Sequence, residues 1–190
     1  LLATEPPPAP LHKAQNYYEM DVSHSHLELT LKAMHAHDKY AMLDLYHTLS
    51  ERTLYMRFFQ VIAEPSIDEL HEFTDIDYQK TFAISVFHGA SNQLVAAGRL
   101  VKLGDTSDTA ELSCIVSDDF QKQGIGAVLV KHLLLMGKQV GIKTVVAMIQ
   151  GTNRAMVKLL KRSGYPCQIE FSGGEFEVVV NLDNEFTSEN

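Results

Sequence analysis

Leu27, Leu29 and Leu31 alternate with polar residues, and this period of two predicts a first strand over 27–34. The period then lengthens. Tyr40, Leu43, Leu45 and Tyr46 follow Asp38, a residue type that caps helix starts, and predict a helix over 38–49. Ser50 offers a second cap ahead of Leu54, Phe58 and Phe59, and Pro65 stands near the start of a third short helix over 66–73. Strand patterns return at 81–88, 94–103 and 110–116, separated by turns at 89–92 and 104–109. Val128, Leu129, His132, Leu133, Leu135 and Met136 form the apolar stripe of a helix over 124–139, ended by Gly141. A buried-looking strand over 144–149, a helix over 153–162 closed by Gly164, and strands over 168–171 and 176–182 around Gly173-Gly174 complete the pattern.

The order is strand, helices, antiparallel meander, helix, strand, helix, hairpin. It predicts an α/β (α+β) domain built on one mixed, mostly antiparallel twisted sheet of about seven strands flanked by helices. A doubly wound fold is excluded, because no helix separates the three central strands. The folded domain is expected over 17–183, with a tail over 184–190. Residues 1–16 hold the run Pro6-Pro7-Pro8-Ala9-Pro10, an extended composition that reads as a linker. With no Met at the start, the expectation is a domain excised from a longer protein.

At 190 residues the chain is long enough for one well-buried core. A hydrophobic fraction of 45% is ordinary for a globular protein, and no apolar run reaches the roughly 20 residues of a membrane span. Cys114 and Cys167 both fall in strand-like runs, so a reducing, cytoplasmic setting is expected rather than a disulfide framework. The net charge of −8 argues against a nucleic-acid partner and suits a cationic substrate such as a lysine side chain.

The run Gln121-Lys122-Gln123-Gly124-Ile125-Gly126-Ala127 follows a strand and opens a helix. The first N–H groups of a helix have no internal partner and sit at the positive dipole end. Glycines remove the Cβ atoms that would hold a diphosphate away from those amides. Lys122 adds a charge. The loop lacks the third glycine of a dinucleotide fingerprint and the Gly-Lys-Ser/Thr of a P-loop. Its strand comes third in a meander, which also separates it from a Rossmann loop.

The segment 110–126, Ala-Glu-Leu-Ser-Cys-Ile-Val-Ser-Asp-Asp-Phe-Gln-Lys-Gln-Gly-Ile-Gly, resembles the acetyl-CoA signature of the GNAT superfamily of N-acetyltransferases. Asn153-Arg154-Ala155-Met156 through Gly164-Tyr165 is similar to the next motif of that family. Leu49-Ser50-x-x-Thr53-Leu54-Tyr55-Met56-Arg57-Phe58-Phe59 and Thr74-Asp75-Ile76-Asp77-Tyr78 resemble bacterial Pat-type protein lysine acetyltransferases. The resemblance implies a GNAT fold splayed between the fourth and fifth predicted strands at a bulge near Ile115. It implies that the backbone of Ile115 and Val116 pairs with the pantetheine arm of acetyl-CoA, and that Asn153 meets the cofactor from the other side. A free amide on that strand would polarise the thioester carbonyl. It further implies substrate contacts at Asp77 and Tyr78, a protein lysine as acceptor, and acyl-CoA synthetases as targets.

Glu111 is the expected general base. It lies five residues before Val116 in an apolar run, where burial would make it a better proton acceptor, and Pat-type enzymes carry a catalytic glutamate at the matching position. Many GNAT enzymes protonate the leaving thiolate with a tyrosine. Leu160 occupies that position here and Tyr165 matches a packing site, so no general acid is assigned. Cys114 invites an acetyl-cysteine intermediate, but a strand cysteine with no neighbouring histidine reads as a small core residue. His24, His26, His35 and His37 bracket the first predicted strand without a completing carboxylate or cysteine pattern, so no metal is expected. Glu64, Asp68, Glu69, Glu72, Asp75 and Asp77 form an acidic stretch expected to border the acceptor cleft, or else a solvated helix face. The expected activity is acetyl transfer to a protein lysine. Transfer to a small-molecule amine and a catalytically silent CoA-sensing domain stand as alternatives.

Overall fold

The computed structural model describes residues 19–89 and 91–183. The predicted linker and the tail over 184–190 lie outside the described residues. The strands are β1 (Glu19–His24), β2 (Leu27–Ala33), β3 (Thr81–His88), β4 (Gln93–Lys102), β5 (Thr109–Val116), β6 (Thr144–Gln150), β7 (Cys167–Ser172) and β8 (Glu175–Asn181). The helices are α1 (Lys39–His47), α2 (Glu51–Phe58), α3 (Ile67–Thr74), α4 (Ile125–Gln139) and α5 (Arg154–Lys161). One eight-stranded sheet has the order β1-β2-β3-β4-β5-β6-β8-β7. All pairs are antiparallel except β5 with β6.

The expected count of about seven strands is short by one, because β1 was not anticipated. Its turn to β2 is two residues, Ser25 and His26, with Ser25 at φ 57°. Asp38 is also corrected. It precedes α1 but makes no cap bond there. Its carboxylate accepts from His35 N at 3.1 Å and Ser85 Oγ at 3.0 Å, so it ties a 3₁₀ turn to β3. The cap expected at Ser50 is present, and α3 has one that was not expected. Ser50 Oγ accepts from Thr53 N, and Ser66 with Glu69 forms a capping box at α3.

The sheet is covered on both faces. Gly98 of β4 and Gly137 of α4 set the fit on one side. A Cβ at Gly98 would come 2.6 Å from Leu133 Cδ1, and one at Gly137 would come 2.9 Å from Leu100 Cδ1. Helix α4 therefore lies close on the central strands, burying Leu129, Leu133, Leu134 and Met136. Helices α1 and α3 cover the opposite face with Met42, Leu45 and Leu70. No helix among the described residues is long and apolar enough to cross a membrane.

The opening that positions the site lies between β5 and β6. Their parallel pairing runs only through Thr109↔Thr144, Ala110↔Val145 and Glu111↔Val146. Beyond Glu111 the strands part. β5 stays in register with β4 as far as Ala96↔Val116, and β6 stays with β8 as far as Gln150↔Glu175. Each strand is held by its outer neighbour, so the sheet opens between them. The expected bulge near Ile115 is corrected, because β5 is regular there and the splay begins after Glu111.

Candidate active site

The splay, the start of α4 and the start of α5 enclose a cleft of about 860 Å³. Glu111, Ile115, Val116, Gln121, Lys122, Gly124, Gly126, Ala127 and Asn153 line it together. Gly124 precedes α4 at φ 88°, and its carbonyl takes the first helical amides, Ala127 N at 3.0 Å and Val128 N at 3.2 Å. The N–H groups of Ile125 and Gly126 precede any i−4 carbonyl of the helix. Gly126 lets this end approach α5, since a Cβ there would lie 3.3 Å from Leu159 Cδ1.

Three loop residues use their side chains differently from expectation. Ile125 is buried, so only its backbone is available. Gln121 Nε2 lies 2.5 Å from Asp118 Oδ1 and 3.2 Å from both Thr53 Oγ1 and Val116 O. Gln123 Nε2 donates to Asp119 O at 2.9 Å. Both glutamines therefore brace the loop and leave its amides to face the cleft. Asn153 caps α5, its Oδ1 accepting from Met156 N at 3.2 Å.

Glu111 is exposed rather than buried. Its apolar neighbours Ala110 and Leu112 point to the other face of β5, as strand alternation requires, and are buried there. Arg57 of α2 lies within electrostatic reach of both Glu111 and Cys114. Burial pushes the Cys114 thiol up to about 11, with Arg57 opposing, so this sulfur is a poor nucleophile near neutral pH. Its Sγ sits 3.8 Å from Met156 Sδ.

Asp77 and Tyr78, expected as substrate contacts, stand away from the cleft. The Tyr78 ring is buried, and its hydroxyl donates within 2.9 Å of Met34 O and 3.0 Å of Ala83 O. Burial raises that phenol well above the usual tyrosine range. Asp77 Oδ1 accepts from the backbone of Gln79 at 2.9 Å and Lys80 at 3.2 Å, closing the turn into β3. Neither residue lines the cleft or the cavity beside it.

Several lining residues escaped the sequence reading. Lys131, Lys158 and Arg162 join Lys122 around the cleft, giving it a basic rim suited to phosphates. The spacing of Lys158 and Arg162, one helical turn apart, was the available signal. Phe59 also lines the cleft, at φ 60° where α2 ends, an uncommon conformation for a bulky side chain. On the α1–α3 side of β5 a second cavity of about 560 Å³ is lined by Arg57, Arg99, Ser113, Ile115 and the acidic residues Glu64 and Glu69. Of the acidic stretch, Glu64 and Glu69 line this second cavity and none lines the cleft.

Comparison with known proteins agrees with this layout. The chain is 33% identical over 115 residues to an acetyltransferase Pat of Mycolicibacterium smegmatis, covering 60% of this chain and 34% of that protein. An acetyltransferase of Pseudomonas aeruginosa is 29% identical over 119 residues, with 62% and 63% covered. The chain therefore spans about a third of one curated relative and under two thirds of the other. Among solved structures, the GNAT domain of S. lividans PAT superposes with a TM-score of 0.79 at 22% identity, covering 92% of this chain and 99% of that one. A spermidine N-acetyltransferase from Vibrio cholerae, in complex with CoA and spermine, gives 0.65 at 18% identity, with 82% and 96% covered. Both likenesses speak to the fold. The profile of the Acetyltransferase (GNAT) family matches residues 45–165, and the chain belongs to that family.

Proposed function

We propose that this chain is an acetyl-CoA-dependent N-acetyltransferase that acetylates a lysine ε-amine in a protein, with Glu111 as general base. The observation that carries it is the juxtaposition, in one cleft, of a glycine-opened helix start and the unpaired edge of β5 beyond Glu111. The amides at the start of α4 receive the diphosphate, with Lys122, Lys131, Lys158 and Arg162 around the phosphates. The pantetheine arm lies along β5 at Ile115 and Val116, taking the backbone groups that β6 leaves free, with Asn153 opposite. A β5 amide then polarises the thioester carbonyl.

A lysine amine has an ordinary pKa near 10.4, so about one in a thousand is neutral near pH 7.4, a handicap of about 4 kcal/mol. Glu111, open to water at the cleft edge, takes the proton through a water molecule. The amine nitrogen bonds to the acetyl carbon, the carbon–sulfur bond breaks, and the CoA thiolate leaves. Among the described residues the cleft lining has no tyrosine or histidine to protonate it. A thiolate of pKa near 8.5 leaves without one.

The protein acceptor, such as an acyl-CoA synthetase, rests on the likeness to Pat proteins. The 560 Å³ cavity favours a second reading, a small-molecule amine, because it is of small-ligand size. Calorimetric titration with acetyl-CoA, followed by an acceptor screen of proteins against polyamines and aminoglycosides, tests both. Absence of acetyl-CoA binding would overturn the proposal, and binding without transfer to any amine would favour a silent sensing domain.

A further inference from the structure

Two guanidinium groups line the cavity on the α1–α3 side of β5, neither in an ion pair among the described residues. Arg99 of β4 and Ser113 of β5 are paired across the strands. Arg57 reaches in from α2 and donates from Nη2 to Ser113 Oγ at 2.8 Å. The Arg99 guanidinium lies 3.6 Å from the Phe73 ring centroid and donates from Nη2 to Phe73 O at 2.6 Å. Each guanidinium carries five N–H donors, and each has one hydrogen-bonded acceptor among the described residues. Arg99 Nε is buried with none.

No Asp or Glu oxygen among the described residues lies within 4.0 Å of either group. The two carboxylates in the cavity wall are engaged elsewhere. Glu69 Oε2 accepts from Ser66 N and Ser66 Oγ, both at 2.8 Å, and Glu64 faces His47 at 3.2 Å. Glu111 acts on Arg57 from a distance, which leaves Arg99 as the cation with no carboxylate near it, and a desolvated cation without a counter-ion is costly to keep. Burial first, then the nearby Arg57 charge, hold Arg99 down to about 10. A carboxylate satisfies both groups at once, because a guanidinium fork matches its two oxygens.

We propose that this cavity takes a carboxylate carried by the amine acceptor, held between Arg57 and Arg99. The word acceptor rests on the acetyl-transfer reading; the carboxylate site rests on the arginines alone. Ser113 stands two residues past Glu111 on the same face of β5, a separation of about 7 Å at strand rise. A carboxylate at the arginines therefore lies within amino-acid dimensions of an amine approaching Glu111. It belongs to a free amino acid, or to an acidic residue beside a lysine in a protein.

Two matched pairs of probes separate these sources: lysine against 1,5-diaminopentane, and a capped Lys-Asp dipeptide against capped Lys-Asn. Binding is read by calorimetry on the whole chain, with and without CoA, so it needs no turnover. At least one carboxylate-bearing probe is expected to bind tenfold or more tightly than its partner. That advantage should fall to twofold or less in Arg99→Gln or Arg57→Gln. Both pairs within twofold on the wild-type chain would overturn the proposal, whether or not the variants fold. So would an advantage that survives in both variants, or an arginine-dependent preference seen only for succinyl-CoA over acetyl-CoA, which would put the carboxylate on the acyl chain. Failure to transfer acetyl, with the preference intact, would remove the functional reading and leave this one.

Discussion

The carboxylate of Asp118 accepts the backbone N–H of Ser50 at 2.6 Å, across 68 positions of sequence. The same group accepts the Thr53 hydroxyl at 2.5 Å and stands 2.5 Å from Gln121 Nε2. One side chain thus fastens the first turn of α2 to the approach of the glycine loop. One turn further along α2 is Arg57, which reaches β5. This contact sets the α2 side of the site against the glycine loop.

Asp118→Asn should therefore loosen both sides. Burial acts to raise the Asp118 carboxyl, but hydrogen bonds from Thr53, Ser50 and Gln121 outweigh it and hold the group below the usual aspartate range. A depressed carboxyl contributes stability above its unfolded pKa of about 3.9 and loses it as pH falls through the lower folded value. The variant is expected to lose about 1–2 kcal/mol at pH 7, discounted for partial exposure, and to show a flatter acid limb below about pH 4. Urea unfolding at pH 7 and at pH 3 checks it; identical wild-type and variant stabilities at pH 7 would contradict it.

Glu111→Gln is expected to lower kcat by 10²–10³ while the acetyl-CoA dissociation constant stays within about twofold. Glu111 is exposed, so the substitution opens no cavity in the core and removes only its charge, including its attraction on Arg57. Steady-state kinetics with calorimetry reads both quantities. A fully active variant would remove Glu111 as the base.

Cys114 should alkylate slowly at neutral pH and faster only as pH climbs toward about 11, where its raised thiol ionises. Near pH 7.5 the thiolate fraction is below about one in a thousand by that value. Mass spectrometry after iodoacetamide treatment over pH 7–10 measures it. Rapid modification of Cys114 at pH 7 would reopen the acetyl-cysteine route.

The central strands and the glycine loop were legible in the sequence because their signals are local. β3, β4 and β5 are rich in apolar residues and bounded by polar turns, and Gly124 marks its own backbone need at φ 88°. β1 was not legible. It is an edge strand with Met20 and Val22 as its only apolar side chains, and its turn carries no glycine. The exposure of Glu111 was hidden by neighbours that belong to the other face of β5. Arg57 with Ser113, and Asp118 with Ser50, lie 56 and 68 positions apart, so no spacing could announce them.

Gly98→Ala should test the close seat of α4. The added methyl would meet Leu133 Cδ1 at 2.6 Å and Leu129 Cδ2 at 3.2 Å, both fully buried. Neither can swing into solvent, so the helix or the strand must shift. A loss of about 1–3 kcal/mol is expected. Thermal or urea unfolding measures it, and an unchanged midpoint would show that the core adapts at no cost.

Gly124→Ala separates two reasons for a glycine in the cofactor loop. The first is conformational: φ is 88°, where an L-residue is disfavoured by roughly 1–2 kcal/mol. The second is steric: a Cβ would fall 2.1 Å from His24 Nε2, on the last residue of edge strand β1. Because β1 pairs only with β2 among the described residues, the hairpin can move aside and the fold should survive. The loop amides move with it, so acetyl-CoA affinity is expected to fall about tenfold or more. In a double-mutant cycle, His24→Ala relieves the clash but not the backbone strain. The double variant should recover part of the loss and remain several-fold weaker than His24→Ala alone. Full recovery would assign the glycine to the His24 contact, and no recovery would assign it to the backbone.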